Sequence, residues 1–512
     1  MITRLFSAAL RGVDAVEVEV EVNGREAEKP THILVGLPDA AVRESTMRVL
    51  SALSSSALKG AHSHTINLAP ADLKKEGPSF DLPIALAMAA CGMEVAFPQE
   101  EEYCIVGELS LDGSVRPVKG ALSIAIEAKR QGRTRLLVPA ANAAEAAIAD
   151  GVQVFPITHL NEAFRFLTGE QEIKPYVLDR QAFFNSQRSY QVDFEDVKGQ
   201  AHVKRALEVA VAGGHNLLMV GPPGTGKSML AKRIPTIMPD MSEDEAIETT
   251  KIHSIAGLLD TKNSFLTTRP FRAPHHTISD AGLLGGGSNP GPGEISLAHN
   301  GVLFLDELPE FRRSTLEVLR QPLEDGEVTI TRAAGSLCFP SRCVVVAALN
   351  PCPCGFFGDP RRDCRCSPRQ VENYRQRISG PLLDRIDLHV EVPLVEYKEL
   401  SAAVTGEKST PIRERVIRAR EVQAQRFTKQ EGLLVNAAMP ARQVREHCQL
   451  DAESSRLLEQ AMEQLNFSGR AHDRILKVAR TLADLAGEEH IGAPQIMEAI
   501  QYRSLDRRLA FS

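Results

Sequence analysis

The sequence predicts an α/β protein in three blocks: an α/β domain over 1–170, a parallel-sheet core over 192–395 and a helical lid over 396–512. Three observations carry this. In the first block, short β-rich runs ("AVEVEVEV", "THILVGL", "HTINLAP", "RLLVPA", "VQVFPI") alternate with Ala-rich helical stretches. In the second, apolar strands alternate with amphipathic helices, the pattern of a parallel sheet. From 396 the pattern is helical: in "PIRERVIRAREVQAQRF", Ile412, Val416, Ala419 and Phe427 approximate one face and charges occupy the rest.

Between the first two blocks, residues 171–191 lack periodicity and read as a linker. A chain of 512 residues accommodates three or four domains. Its 43% hydrophobic and 24% charged residues are those of a soluble globular protein. No stretch approaches the roughly 20 apolar residues that span a bilayer; "LPIALAMAACGM" reads as a buried core helix, and no membrane partner is expected. The opening "MITRLFSAALRGVDAV" has neither a sustained apolar run nor a cleavage site, so a cytoplasmic location is expected. The net charge of −7 makes no global case for nucleic acid, so any such binding must come from a local patch. Nine cysteines without a signal peptide argue against a disulfide framework.

"NLLMVGPPGTGKSML" is the most specific signal. An apolar strand, Leu217 to Val220, runs into Gly221, Pro222, Pro223, Gly224, Thr225, Gly226, Lys227 and Ser228, and then into a helix. This is a phosphate-binding loop in its strand–loop–helix context. Glycines let backbone N–H groups point at phosphates, Lys227 reaches the β/γ-phosphates, and Ser228 can ligate Mg²⁺. In "NGVLFLDELPEF", a buried strand ends in Asp306 and Glu307. Asp306 would hold Mg²⁺ through water, and Glu307 would polarise the attacking water. A third strand, "CVVVAALN", ends in Asn350, a candidate sensor of the γ-phosphate. In "SGPLLDRIDLHV", Arg385 is a candidate arginine for a neighbouring subunit's γ-phosphate, the alternative being a partner of Asp384 or Asp387. Arg470 and Arg474, near the start of a lid helix, are each placed to reach back to the nucleotide or to face solvent.

"NPCPCGFFGDPRRDCRCSP" sets Cys352, Cys354, Cys364 and Cys366 into two Cys-X-Cys pairs. Four thiolates able to converge favour tetrahedral Zn²⁺; free cysteines, a redox disulfide or another metal are the alternatives. From Asp359 to Arg377 this segment carries a net +3: Arg361, Arg362, Arg365, Arg369, Arg375 and Arg377 against Asp359, Asp363 and Glu372. Residues 269–296 are too Gly/Pro-rich for a core element and read as a projecting insertion, with His275 and His276 packing or capping locally. "EVTITR", an Ala-Ala-Gly-Ser turn and "LCFP" read as a hairpin, with Arg332 a candidate DNA contact.

The phosphate loop, the Asp-Glu strand, Asn350, Arg385 and the lid together resemble an AAA+ ATPase. "RPFRAPHHTISDAGLLGGGSNPGPGEISLAHNGVLFLDELPEF" narrows this to the magnesium-chelatase-like branch, and the chain is similar over nearly its whole length to the ComM/YifB family. The resemblance implies ATP and Mg²⁺ as cofactors and a ring-forming homo-oligomer, a hexamer. It also implies a DNA branch-migration motor acting in natural transformation. It places Val197 and Gln200 beside the adenine and points both insertions into the ring pore. Chelatase-type motor, protease and nucleotide-gated adaptor are the competing readings; the N-terminal block and the cysteine stretch are expected to stand outside the chelatase pattern.

"LKKEGPSFDLPIALAMAACG" and "VGELSLDGSVRPVKGALSIAIEAKRQG" resemble the proteolytic domain of Lon-type proteases, which implies a ribosomal-S5-domain-2-like fold. Ser79 stands at the nucleophile position, but the position of its activating lysine falls on Leu122, and Lys119 comes three residues early. A serine without its base cannot be activated, so Ser79 is expected to be a helix N-cap.

Overall fold

The computed structural model describes residues 2–26, 28–179, 190–259, 264–287, 290–332, 335–359, 361–395, 406–428, 434–465, 467–503 and 505. They form two units. The first comprises Met1–Gln187 together with Glu243–Thr267 and Ala333–Cys338, so two stretches of the expected 192–395 core belong to it.

The first unit is built on a seven-stranded mixed sheet in the order His32–Val35, Ser63–Ala69, Asp14–Arg25, Ile2–Arg11, Tyr103–Ile105, Arg135–Pro139, Gln153–Ile157. Its antiparallel pair runs from Ile2↔Asn23 to Arg11↔Asp14. The period-two alternation explains the register: Val18, Val20 and Val22 are buried, while Glu17, Glu19 and Glu21 take the other face. The helix Asp81–Met93 is buried almost throughout, as its composition predicts. Asp81, fully buried at its first position, is held by Arg48, Ser45 and the Leu109 N–H.

Ser79 is not a helix N-cap. It lies in a 3₁₀ turn, Pro78–Phe80, that runs directly into the helix, whose N-cap position is Phe80 with no side-chain cap. The turn supplies one acceptor, Pro78 O for Asp81 N, and Gly107 O, from outside the turn, accepts from Leu82 N. Leu122 is buried in the helix Ala121–Arg130, and Lys119 is exposed. The helix Glu243–Ala256 joins this unit through Ser254, which accepts from Gly120 N at 2.8 Å and donates to buried Glu145. Of the expected linker, Ile173 packs on the unit's core and Tyr176 donates to Val154 O; residues 180–189 lie outside the described residues.

The second unit is centred on a five-stranded parallel sheet in the order Phe271–Arg272, Val302–Leu305, Val344–Leu349, Leu217–Val220, Leu388–Glu391. The three central strands are buried along their whole length, as the apolar runs require. The C-terminal helices share this unit's core: Ile412, Val416, Ala419 and Phe427 are all buried within it. The lid expected from 396 therefore begins, among the described residues, with Ser409–Arg426, and residues 396–405 lie outside them. No helix among the described residues is long and apolar enough to cross a membrane.

A buried triad of His215, Asp387 and Thr481, with Arg474 at its rim, ties the last strand to the lid. His215 Nδ1 lies 3.0 Å from Asp387 Oδ2, His215 Nε2 lies 2.9 Å from Thr481 Oγ1, and Arg474 bonds the other oxygen of Asp387. Burial alone would raise the Asp387 carboxyl, but Arg474 and His215 hold it well below the usual carboxylate range. A depressed folded-state value means that the contribution is present at neutral pH and lost on acidification. Asp387→Ala is expected to destabilise the protein by roughly 3–5 kcal/mol at neutral pH, because it leaves Arg474 without its buried partner. Urea denaturation measures this, and a midpoint equal to that of the unaltered protein would contradict the role given to the triad.

Candidate functional site

The parallel register brings the ends of three strands to one place. Val220 pairs with Leu349, and Leu305 pairs with Ala347, so the loops that follow all leave the carboxyl edge of the sheet. Gly224 and Gly226 have φ of +80° and +85°, with open space where a Cβ would stand; a side chain there would strain the loop. Gly226 then caps the helix Lys227–Ile237.

Lys227 turns back into this loop. Its Nζ donates to Gly221 O at 2.6 Å, Pro222 O at 2.9 Å and Asn350 Oδ1 at 3.3 Å. Burial pushes its ammonium down to about 8, opposed by Asp306 and Glu307. Ser228 Oγ donates to Asp306 Oδ2 at 2.6 Å, and Asp306 Oδ1 accepts from Glu307 N at 3.0 Å. Lys227, Ser228, Asp306, Glu307 and Asn350 are thus brought together, although the sequence spreads them over more than a hundred residues. A hydroxyl and a carboxylate at hydrogen-bond distance form a pair of hard oxygen donors, the ligand type that Mg²⁺ takes.

Gln200, in a left-handed conformation before the helix Ala201–Gly213, donates to Thr225 O at 2.8 Å and Pro393 O at 3.1 Å. It ties the phosphate loop to the end of the last strand. Val197, expected beside the base, is buried in the unit's core, and its carbonyl accepts from Lys204.

Arg385 is buried. Its guanidinium donates to Glu324 Oε2 at 2.6 Å, Arg320 O at 3.1 Å and Pro381 O at 2.8 Å. The carboxylate partner is therefore Glu324, not the flanking Asp384 or Asp387. Arg474 is committed to Asp387, whereas Arg470 is exposed and near enough to Glu324 to help Arg385 and Arg474 lower that carboxyl.

One residue with a place at the site was read from sequence only as local packing. His276 Nδ1 lies 3.3 Å from Glu307 Oε2, with its ring against His275 and edge-on to Phe311. No local pattern links positions thirty-one apart; only the pairing of Phe271–Arg272 with Val302–Leu303 does so. The segment 269–296 is also less detached than its composition suggests. Phe271 stacks on Phe304, Arg272 holds Glu294 through two bonds of 2.6 and 2.7 Å, and Leu283 and Ile295 are fully buried. Apolar residues at the roots of the glycine stretch anchor it to the sheet. The strands Glu327–Arg332 and Gly335–Pro340 pair as the hairpin expected from sequence; the Arg332 side chain lies outside the described residues.

Cys352, Cys354, Cys364 and Cys366 converge, with their sulfurs all within 4.8 Å of one another. Three of the separations are 3.3, 3.7 and 3.6 Å. Four thiolates around one Zn²⁺ at about 2.3 Å would stand roughly 3.8 Å apart. Backbone N–H groups of Phe356 and Arg365 pull the Cys354 thiol down, while Cys364 and Cys366, in spite of backbone N–H groups that lower them, are raised by burial and by the neighbouring sulfurs, so without a metal the cluster favours one thiolate among protonated neighbours. Around the cluster Arg361, Arg362, Arg365 and Arg369 are exposed.

Comparison with known proteins follows the same division. Residues 193–400 match a family model described as magnesium chelatase, subunit ChlI; 406–503 match that subunit's C-terminal model; 18–142 match a model described as subunit ChlI of Mg-chelatase. The N-terminal block is therefore no argument against the chelatase reading, contrary to the expectation from sequence. Competence protein ComM of Haemophilus influenzae is 43% identical over 511 residues, covering 99% of this chain and 98% of its own. YifB of Escherichia coli is 43% identical over 508 residues, covering 99% and 97%. The magnesium-chelatase subunit ChlI of Nephroselmis olivacea is 23% identical over 334 residues, covering 59% and 84%.

Because His276 touches Glu307 and not the phosphate loop, His276→Ala is expected to lower ATP turnover roughly tenfold through a misplaced Glu307. The affinity for ATP should be retained. Steady-state kinetics separate the two, and a loss confined to KM would contradict this placement.

Proposed function

The chain belongs to the ComM/YifB family of magnesium-chelatase-like AAA+ ATPases, and from that premise we propose that it is an ATP-driven motor on DNA, working as a cytoplasmic homo-hexamer on branched recombination intermediates during natural transformation. The observation that carries the ATPase part is the convergence of Lys227, Ser228, Asp306, Glu307 and Asn350 at one edge of the sheet. ATP phosphates lie in the 221–228 loop under Lys227, with Gln200 bracing the loop from behind. Ser228 and Asp306 would hold Mg²⁺, which would neutralise phosphate charge. Glu307 orients the attacking water, steadied by His276, and Asn350 senses the γ-phosphate through the same contact that reaches Lys227. Arg385 serves a neighbouring subunit's γ-phosphate by leaving Glu324, and exposed Arg470 is the lid residue free to approach the nucleotide.

The DNA part is supported by the competence role in the name of the Haemophilus relative and by the exposed arginines around the cysteine cluster on an otherwise acidic chain. The cluster itself is a Zn²⁺ site: four sulfurs within 4.8 Å of one another, three of them 3.3 to 3.7 Å apart, are the donor set that zinc takes. The first unit is a Lon-protease-like, ribosomal-S5-like domain without proteolytic activity, since the position that the resemblance gives to the activating lysine is occupied by Leu122, which is buried. A chelatase-type motor is the second reading, favoured by the three matching family models.

Lys227→Ala and Glu307→Gln are each expected to abolish ATP hydrolysis, measured as phosphate release; full rates in either would refute the site. A four-way junction should stimulate hydrolysis in the unaltered protein and be resolved in an ATP-dependent displacement assay. Binding to it should weaken steeply with salt. Hydrolysis indifferent to DNA would reject the DNA motor in favour of the chelatase reading. Elemental analysis of protein purified without chelators should find about one zinc per chain, reduced by Cys364→Ser.

A further inference from the structure

We propose that the cysteine cluster is a clamp on the phosphate loop, so that zinc occupancy sets the protein's affinity for ATP. This deepens, and rests on, the reading of the cluster as a zinc site.

The argument starts from Gly355, the residue after Cys354. It has φ of +84°, and a Cβ built on it would stand 2.5 Å from Pro223 Cδ and 3.1 Å from Pro223 Cγ. The backbone of the cysteine loop therefore lies against the phosphate loop itself, at the proline that precedes Gly224. A glycine is required there on two counts, the left-handed backbone and the close approach. Gly355 N donates to Cys352 O at 2.9 Å, so the turn that presents this glycine is the one closed by the first two sulfurs.

The same loop reaches the other two parts of the site. Asn350, two residues before Cys352, accepts from Lys227 at 3.3 Å. Beyond the cluster, the capped helix Pro368–Arg375 sends Arg375 Nε back to Pro351 O at 3.0 Å. Arg377 donates to Pro309 O and Glu310 Oε2 at 3.2 and 2.9 Å, in the turn that follows Glu307. One segment thus contacts the phosphate loop, the sensor residue and the turn after the acidic strand, and its own closure comes from four sulfurs.

Among the described residues, nothing packs within 4 Å of where a Cβ would stand on Gly224 or Gly226, and from outside the loop Gln200 holds Thr225 O while Gly355 abuts Pro223. A loop ordered before the ligand arrives binds more tightly than one that must be ordered by it. Four ligands on one ion close the 352–366 segment and fix Gly355 against Pro223. Without the ion the turn keeps the Gly355 N to Cys352 O bond and the segment keeps the Arg375 bond to Pro351 O, but the closure of 352–366 by four ligands is lost, and the population of correctly shaped phosphate loop falls.

The test uses the full chain and a fluorescent ATP analogue, mant-ATP, titrated into zinc-loaded protein, into protein stripped by a thiol-reactive mercurial and chelator, and into stripped protein given zinc again. If the competent loop falls to about a tenth of the population, the stripped form should bind mant-ATP roughly tenfold more weakly, and zinc should restore the affinity. Gly355→Ala separates the clamp from metal loss: it should keep its zinc by elemental analysis and still bind mant-ATP more weakly. Gly358→Ala is the control, since Gly358 has a comparable φ of +79° but no neighbour within 4 Å of a Cβ, and its affinity should be unchanged. One zinc per chain with equal affinity in loaded and stripped protein, or in Gly355→Ala, overturns the clamp and leaves the zinc site standing. Protein that never contains zinc overturns the site, and the clamp with it.

Discussion

Everything at the carboxyl edge of the second unit's sheet depends on the register of three buried parallel strands. Leu217–Val220, Val302–Leu305 and Val344–Leu349 lie side by side with their carboxyl ends aligned. Because each strand is buried on both faces, a slip would move apolar side chains without freeing a polar face to receive them. The alignment delivers the phosphate loop, Asp306–Glu307 and Asn350 to within hydrogen-bond reach of one another. The bonds among Lys227, Asn350, Ser228 and Asp306 are a consequence of the sheet, not its cause.

Around that edge the protein commits most of its charged groups to partners in its own chain. Lys227 is occupied by loop carbonyls, Arg385 by Glu324, Arg474 by Asp387, and Glu307 by His276. A charge held by a good partner in a partly buried place is costly to release. Any use of the Arg385 guanidinium away from its own surroundings therefore carries an exchange of partners with it, whereas Glu307, more than half exposed, is held less firmly by His276.

The blocks read from the sequence survive as fold types but not as contiguous stretches. Glu243–Ala256 has little apolar face of its own to assign it to either unit; it is Ser254 against buried Glu145 and Gly120 that attaches it to the first one. The Gly/Pro-rich segment 269–296 reads as detached by composition, yet Leu283 and Ile295 are in the core. Two isolated apolar residues are too few to show a period, and burial of such residues is decided by what the chain folds against.

The sequence by itself determined the phosphate loop, the acidic strand, the asparagine that ends the third strand, the four cysteines and the apolar face of Ser409–Arg426. These are properties of residues close in the chain, where spacing converts directly into geometry. Only the tertiary structure decided that Ser79 caps nothing, that Arg385 faces Glu324, that His276 reaches Glu307, and that the cysteine loop rests on Pro223. Each of these contacts joins segments whose spacing carries no period. Their meeting is set by strand order and by which buried surfaces must be covered, and neither is written in any one stretch of residues.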